Sequence, residues 1–178
     1  MAESKTLTGC RSCGCTELAT VLDLGITPLA DRMLYEKQLK EHEPTFPLEV
    51  VFCPECALVQ IRETVAPEML FDEDYPYFSS FSNYLLEHSK KNVEEIIAAR
   101  GLTADSFVIE LASNDGYLLK NYVDNGVPVL GIDPVPALCE AAEKIGVPSM
   151  AEFFGIDVAE KLAAEGRQAD VIHGNNVL

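Results

Sequence analysis

The chain has 178 residues, of which 48% are hydrophobic and 24% charged, and its formal net charge is −16. This length accommodates one ordinary domain, or a small module joined to part of a larger one. Binding to nucleic acid depends on clustered Lys and Arg, so 29 acidic against 13 basic residues argue against a nucleic-acid partner, and the same charge disfavours anionic membrane surfaces.

The expected compartment follows from the N-terminus and the cysteines. The opening residues, MAESKTLTGC, lack the apolar stretch of a secretory signal peptide, and no apolar run approaches the roughly 20 residues of a membrane span. In a chain without a secretion signal, six cysteines favour metal binding over disulfides. We therefore expect a cytoplasmic protein in a reducing environment.

Residues 1–70 are predicted to form a small zinc-binding module. Short apolar runs predict strands at Leu18–Leu24, Leu48–Phe52 and Leu58–Ile61. Prolines punctuate this region, as in a small fold that a metal ion holds together: Pro28, Pro44, Pro47 and Pro54.

Four cysteines of this region form two C-x-x-C pairs, Cys10 with Cys13 and Cys53 with Cys56. Each such turn directs two thiolates toward one cation. Two turns complete a tetrahedral Zn²⁺ shell with no open position, which is typical of a structural site. The 39 residues between the pairs exceed the usual zinc-ribbon spacing, so a redox or disulfide role stays an alternative. Cys15 is close enough in sequence to replace one ligand.

Residues 71–101 are predicted to connect two domains. An aromatic-rich stretch, FDEDYPYFSSFSNY, precedes a helix with Ser82 as its N-cap and Gly101 as its stop. Apolar residues recur at helical spacing and are expected to form one face of this helix: Leu85, Leu86, Val93, Ile96 and Ile97.

Residues 102–178 alternate between strand and helix patterns, which predicts an α/β fold with a parallel, doubly wound sheet. A domain of this class normally has two halves, so we expect this segment to be the first half and the chain to be part of a longer protein. The predicted strands are Phe107–Leu111, Val127–Ile132, Val147–Met150 and Ala169–His173, and the predicted helices are Tyr117–Asp124, Ala137–Ile145 and Asp157–Glu165.

The loop after the first of these strands is a candidate cofactor site, because a strand–loop–helix turn presents backbone N–H groups and a positive helix end to a ligand. A dinucleotide loop needs G-x-G-x-x-G, and none of its three glycine slots holds glycine here. The S-adenosylmethionine loop, acidic-x-G-x-G-x-G, fits better, since the acid and the last glycine match. The residues expected to contact this cofactor are Glu110, Ala112, Ser113, Asn114 and Gly116.

Further candidates follow the later strands of this region. Asp133 ends the second strand, where a carboxylate can accept both ribose hydroxyls, although a solvated acid is the alternative. Phe153 or Phe154 follows the third strand and is expected to pack against adenine or in the core. Asn175 and Asn176 follow the fourth, at the edge where ligands lie, or form a plain turn.

Together these motifs resemble the zinc-containing sugar C-methyltransferases, which act on nucleotide-linked deoxysugars, typically at C-3 of a 4-keto hexose. The resemblance runs from Cys10 to Leu178, and its motifs are the C-x-x-C pairs with CPECALVQ, then YPYFSSFS, VIELASNDGYLLK, GIDP and ADVIHGNNVL. It implies a zinc lobe, a central class I methyltransferase domain of Rossmann-like fold and a C-terminal lobe. In this family a base removes a proton beside the keto group, and the enolate carbon attacks the methyl group in line.

The resemblance also implies that the family's acid/base His and Tyr residues lie largely beyond the fourth strand, so we expect the isolated chain to be inactive. Tyr77, supplied by the zinc lobe, is the candidate catalytic residue, with a buried aromatic contact as the alternative. His42, His88 and His173 are expected at the surface. Two other functions stay open: methyl transfer to oxygen, nitrogen or another small metabolite, and a non-enzymatic zinc interaction module on a degenerate Rossmann scaffold.

Overall fold

A computed structural model describes residues 4–177 and divides the chain into two compact units, one ending at Pro76 and the other beginning at Tyr77. The division falls inside the aromatic stretch, rather than after residues 70 and 101. The reason is the helix that follows the stretch, whose apolar face packs into the core of the second unit. Tyr77 therefore belongs to the second unit and not to the cysteine-bearing one.

The first unit consists of short antiparallel strands. Strand β1 pairs with β5, and β2, β3 and β4 form a three-stranded sheet in that order. The sequence predicted the three strands of this sheet but missed β1 and β5, because three-residue strands show no apolar alternation. The bounds are β1 Ser4–Thr6, β2 Ala19–Pro28, β3 Thr45–Phe52, β4 Val59–Ile61 and β5 Glu63–Val65, followed by a one-turn helix, α1, at Pro67–Leu70.

The apolar core of the first unit is very small. Among its described residues, 4–76, the buried apolar side chains are Val51 and the two cysteines Cys10 and Cys53. A hydrophobic core of this size cannot offset the conformational entropy of some 70 ordered residues. The unit therefore requires another source of stability, and the cysteines are placed to supply it.

The second unit alternates strand and helix, as predicted, and every observed end lies within two residues of its prediction. Ser82 caps the first helix by accepting a hydrogen bond from the Leu85 N–H at 3.2 Å, and Gly101 ends it with a φ of 64°. The elements are α2 Asn83–Arg100, β6 Val108–Leu111, α3 Leu119–Asp124, β7 Val129–Asp133, α4 Pro136–Lys144, β8 Ser149–Ala151, α5 Ile156–Ala164 and β9 Val171–Gly174.

The four strands form one parallel sheet in the order β8-β7-β6-β9. In chain order this is the third, second, first and fourth strand of the unit, so the direction of winding reverses between β6 and β9. Open α/β sheets bind ligands outside the carboxyl ends of their strands at this reversal. The loops after β6 and β9 are therefore the expected walls of a ligand site.

Both faces of this sheet are covered. Helices α2, α3 and α4 pack on one face, around Val93, Tyr122 and Ala142, while Leu162 of α5 covers Ile109 and Ile132 on the other. This confirms the α/β fold and the apolar face predicted for α2. In the part of the chain that the structure describes, no helix has the length and apolarity needed to cross a membrane.

Two glycines with the same backbone conformation allow the packing around the β6–α3 loop to be tested. Gly116 has a φ of 78°, and a Cβ there would lie 3.0 Å from the Ala142 Cβ, whereas Gly126 has a φ of 75° and no atom within 4 Å of such a Cβ. We expect Gly126→Ala to lower the free energy of unfolding by about 1–2 kcal/mol through backbone strain alone. Gly116→Ala should cost about 1–3 kcal/mol more, because α4 must also move.

Urea unfolding followed by the helical circular dichroism signal measures both variants, since α2 to α5 all belong to the second unit. If Gly116→Ala and Gly126→Ala lower the free energy of unfolding equally, the close contact between Gly116 and α4 does not contribute to stability.

Candidate functional site

The first candidate site is a cluster of four thiols. The Sγ atoms of Cys10, Cys13, Cys53 and Cys56 all lie within 4.8 Å of one another. The two closest pairs each join one turn to the other: the Sγ atoms of Cys10 and Cys56, and those of Cys13 and Cys53, are 3.5 Å apart. A tetrahedral Zn²⁺ with bonds of about 2.3 Å separates its thiolates by about 3.8 Å, so these four side chains fit such an ion closely.

The two cysteine turns share one backbone conformation. The Gly14 N–H donates to the Cys10 carbonyl and the Ala57 N–H to the Cys53 carbonyl, both at 2.9 Å. The residue after the second cysteine is left-handed in both turns, with a φ of 77° at Gly14 and 61° at Ala57. This equivalence explains why sequences as different as CRSCG and CPECA present their thiols to a common centre.

The remaining cysteines have other surroundings. Cys15 is not part of the four-thiol cluster, and its Sγ donates to the Glu17 carbonyl at 3.7 Å. Cys139 is buried on α4, as expected of a core residue, with its Sγ donating to the Asp133 carbonyl at 3.4 Å. All six cysteines are free thiols, so the disulfide alternative receives no support from the geometry.

The second candidate site is the β6–α3 loop, residues 112–118. Ala112, Asn114 and Gly116 have φ values of 50°, 52° and 78°. These are the three positions that the acidic-x-G-x-G-x-G pattern assigns to glycine, and all three adopt the left-handed conformation that glycine favours. An Ala in this region costs about 1–2 kcal/mol, and strain of this kind concentrates at binding sites.

Glu110 lies below this loop on β6 and is almost fully buried. Its Oε1 is 3.4 Å from the Asn175 Nδ2, which donates to it. Burial above all, together with the nearby carboxylates of Asp133 and Asp115, raises the pKa of Glu110 from 4.5 to about 8, against the opposing effect of the Asn175 hydrogen bond. Glu110 therefore holds a proton at neutral pH when no cation is close.

Asp133 ends β7 at the same edge of the sheet. Its Oδ2 accepts a hydrogen bond from the Asn114 N–H at 2.9 Å and its Oδ1 accepts one from the Val135 N–H at 3.0 Å. Burial raises the pKa of Asp133, while these two N–H groups lower it. The carboxylate is thus fixed in orientation beside the loop, and each oxygen keeps a further lone pair for a ligand.

Three buried polar atoms around the loop have no hydrogen-bond partner among the described residues: Glu110 Oε2, Ser113 Oγ and Asp115 Oδ1. Leaving a buried polar group unpaired costs about 1–3 kcal/mol, so three within six residues indicate a ligand that would complete them. Two of the three are carboxylate oxygens. A ligand with cationic or hydrogen-bond-donating groups matches this set.

The other predicted site residues have different surroundings. Asn175 follows β9 and reaches Glu110, as above, while Asn176 forms a left-handed turn with a φ of 57°. Phe153 and Phe154 follow β8 and are each 41% exposed, so neither is a core residue. Tyr77 is 50% exposed, which does not match the alternative of a buried aromatic contact.

A polar cluster beside Glu110 was not predicted. The Tyr122 hydroxyl and the His173 Nε2 are 2.9 Å apart, and His173 pairs with Glu110 across the β6–β9 ladder. Burial raises the pKa of Tyr122 to about 12 and lowers that of His173, which keeps the ring neutral. His173 is half-buried rather than at the surface as expected. Val171 and His173 are two residues apart on β9 and therefore share one face of the strand, and this spacing could have predicted a half-buried histidine.

Replacing Glu110 by Gln is expected to flatten the pH dependence of stability. Because the folded-state pKa of Glu110 lies above its ordinary 4.5, its favourable contribution is complete below that pH and is lost as the pH rises to about 8. The free energy of unfolding should therefore fall across this range in the unaltered chain and fall much less in Glu110→Gln.

Urea unfolding at pH 5.5 and pH 8 tests this, with Glu140→Gln, an exposed carboxyl on α4, as the control. Both variants keep the groups that face Glu110, which are Asp115, Asp133, Tyr117, Tyr122 and His173. Parallel pH curves for Glu110→Gln and the unaltered chain would show that Glu110 ionises normally.

Two solved structures show limited similarity to the chain. YjhP from E. coli has a TM-score of 0.28 at 18% identity, covering 51% of this chain and 30% of that one. The MccD protein has a TM-score of 0.28 at 15% identity, covering 54% of this chain and 34% of that one. Scores this low do not establish a shared fold.

The comparisons of sequence are more specific. The chain is 33% identical over 165 residues to the C-methyltransferase NovU of Streptomyces niveus, which covers 93% of this chain and 39% of that protein. It thus spans about two fifths of the length of this curated relative. Residues 10–71, which contain all four clustered thiols, match the family Methyltransf_13, described as "Putative zinc binding domain". The resemblance to C-methyltransferases predicted from the sequence is therefore confirmed: residues 10–71 match a zinc-binding domain model, and the chain is similar to a C-methyltransferase over 93% of its length.

Proposed function

We propose that this chain is the zinc-bearing and methyl-donor-binding part of an S-adenosylmethionine-dependent C-methyltransferase that acts on a nucleotide-linked keto-deoxysugar in the cytoplasm. The observation that carries this proposal is the left-handed backbone at positions 112, 114 and 116, between Glu110 and Asp133 and at the reversal point of the sheet. The name of the relative NovU supports carbon as the methylated atom. The sugar acceptor comes from the motif resemblance alone.

The residues present fit the donor. We assign the ribose hydroxyls to Asp133, the adenine ring to Phe153, and contacts at the carboxyl edge to Asn175 and Asn176. When bound, S-adenosylmethionine supplies a methyl group activated by a cationic sulfonium. The unpaired oxygens of Glu110 and Asp115 favour a ligand with positive charge, which S-adenosylmethionine carries on both its sulfonium and its amino group.

The zinc ion has a separate and structural role in this proposal. Its four thiolates leave no coordination position for a substrate. The first unit has almost no apolar core among its described residues, so metal binding provides its folding energy. We assign the ligands to Cys10, Cys13, Cys53 and Cys56.

Tyr77 is the candidate for contact with the acceptor. It is half-exposed, belongs to the same unit as the donor loop, and its hydroxyl lies near enough to Tyr117 to affect that residue electrostatically. An exposed phenol can hydrogen-bond to a sugar keto group or to the enolate derived from it.

Calorimetric titration of the chain with S-adenosylhomocysteine tests the donor site. We expect saturable binding with one site per chain, and no binding of NAD⁺ at the same concentrations, because the dinucleotide glycines are absent. A folded chain that gives no heat with S-adenosylhomocysteine would instead support the non-enzymatic module on a degenerate scaffold.

Product analysis with the longer protein distinguishes the acceptors. With a nucleotide-linked 4-keto-deoxysugar, we expect the new methyl group on carbon and one exchangeable ring proton lost. Methylated oxygen or nitrogen would identify the alternative acceptor class while leaving the donor site intact.

A further inference from the structure

The Asn114 side chain contacts the start of the second unit. Its Oδ1 accepts a hydrogen bond from the Ser79 N–H at 2.8 Å, and its Nδ2 donates to the Tyr77 carbonyl at 3.1 Å. One primary amide thus satisfies a donor and an acceptor of the same backbone segment, much as a neighbouring strand would. Both of its polar groups are used in this way.

Asp115 extends the same interaction by one residue. Its Oδ2 accepts a hydrogen bond from the Ser80 N–H at 3.2 Å. Consecutive loop residues therefore bind a consecutive stretch of chain, which we call the Tyr77–Ser80 segment. Ser79 is buried under this contact.

Apart from these hydrogen bonds, the Tyr77–Ser80 segment is held by the one-turn 3-10 helix Ser79–Phe81, which leads into α2. Tyr77 is half-exposed and Ser80 is exposed, while Phe78 is half-buried and stacks on Phe81, which is itself 81% exposed. Because so little apolar area is removed from water at Tyr77 and Ser80, the hydrogen bonds to the loop are the main contacts that hold this end of the segment.

The backbone of Asn114 makes a different contact. Its N–H donates to Asp133, the residue assigned to the ribose, and its φ of 52° is part of the loop conformation. Main chain and side chain of one residue therefore serve two sites. The main chain helps to shape the donor side and the side chain holds the segment that bears Tyr77.

We propose that Asn114 is a positioning residue that couples the methyl-donor loop to Tyr77 on the acceptor side. The proposal rests on the proposed function, and it explains why this position holds Asn rather than the glycine of the general pattern. Glycine would satisfy the left-handed backbone but would leave Tyr77 and Ser79 without their partner. Tyr77 also acts on Tyr117, because its hydroxyl helps to raise the pKa of Tyr117, which burial above all brings to about 12.

Asn114→Gly separates the two roles, because it keeps the N–H to Asp133 and the permissive backbone while removing the amide. The chain would be labelled with ¹⁵N to follow amide exchange of Ser79 and Ser80, and with 3-fluorotyrosine to follow Tyr77, whose signal is identified by its absence in Tyr77→Phe. In the unaltered chain, we expect the Ser79 amide to be protected and the Tyr77 signal to shift when S-adenosylhomocysteine is added.

In Asn114→Gly we expect the Ser79 amide to exchange at least about tenfold faster. The Tyr77 signal should lose its response to S-adenosylhomocysteine at concentrations that saturate the variant, as calorimetric titration of the same variant establishes. The near-isosteric Asn114→Asp covers the case in which the glycine variant does not fold. It keeps the acceptor for Ser79 but opposes a carboxylate oxygen to the Tyr77 carbonyl, so Ser79 should stay protected while the Tyr77 response is lost.

An unchanged Tyr77 response in the folded variants would overturn the coupling, and so would full protection of Ser79 in Asn114→Gly. These results are distinct from failure of the proposed function. In that case the unaltered chain would not bind S-adenosylhomocysteine at all, while Ser79 protection would still report on the amide contact.

Discussion

Replacing Cys53 by Ser should remove the metal ion and unfold the first unit. Cys53 is buried and belongs to the four-thiol cluster. Among residues 4–76, the other buried apolar side chains are Cys10 and Val51. Structural zinc contributes about 10–16 kcal/mol in small metal-dependent domains, which is as large as the whole stability of a typical domain. With one cysteine ligand lost, the small apolar core cannot hold the five strands of the first unit together.

Zinc content by mass spectrometry and the dispersion of amide NMR signals measure this result. The unaltered chain should contain about one zinc ion, and Cys53→Ser should contain almost none, with the signals of residues 4–76 collapsing to random-coil positions. A strong chelator should reproduce the effect in the unaltered chain.

Cys15→Ser is the matched control. Cys15 lies two residues from a ligand and is half-buried, but it stands outside the four-thiol cluster. Its replacement should leave both zinc content and signal dispersion unchanged. Loss of zinc in this control would identify Cys15 as a ligand, and retention of zinc and fold in Cys53→Ser would contradict a structural metal site.

The features that the sequence predicted well are those encoded locally. Two C-x-x-C turns fix their own thiol geometry, so convergence of the four sulfurs requires only that the fold bring two turns together. The strands and helices of the second unit are marked by apolar runs and by closing glycines such as Gly101, which makes their ends predictable to within two residues. Parallel strands then place Glu110 and Asp133 at one edge of the sheet.

The features that were missed depend on contacts between distant parts of the chain. Asn114 is 35 residues from Ser79, and no periodic pattern relates an amide in one loop to a backbone segment so far away. The pairing of Tyr122 with His173 spans 51 residues and depends on which side of α3 faces the sheet.

Asp133→Asn is expected to weaken binding of S-adenosylhomocysteine by about 100-fold. Hydrogen bonds to a charged group contribute about 1.5–3 kcal/mol each, so losing much of two ribose contacts corresponds to roughly 3 kcal/mol. An amide accepts through one atom only, and its NH₂ group would meet either the Asn114 N–H, which now donates to Oδ2 at 2.9 Å, or the Val135 N–H, which donates to Oδ1 at 3.0 Å. The variant therefore disturbs both the ligand and the loop.

Two controls separate these effects. Asp124→Asn removes an exposed carboxylate of the same unit, whose Oδ2 is 2.6 Å from the Lys120 Nζ, and should leave affinity unchanged because surface pairs contribute little. Thermal unfolding of Asp133→Asn shows whether the loop remains formed. If the variant is folded and binds S-adenosylhomocysteine within about twofold of the unaltered chain, Asp133 does not hold the ribose, because a lost pair of charged hydrogen bonds cannot cost so little.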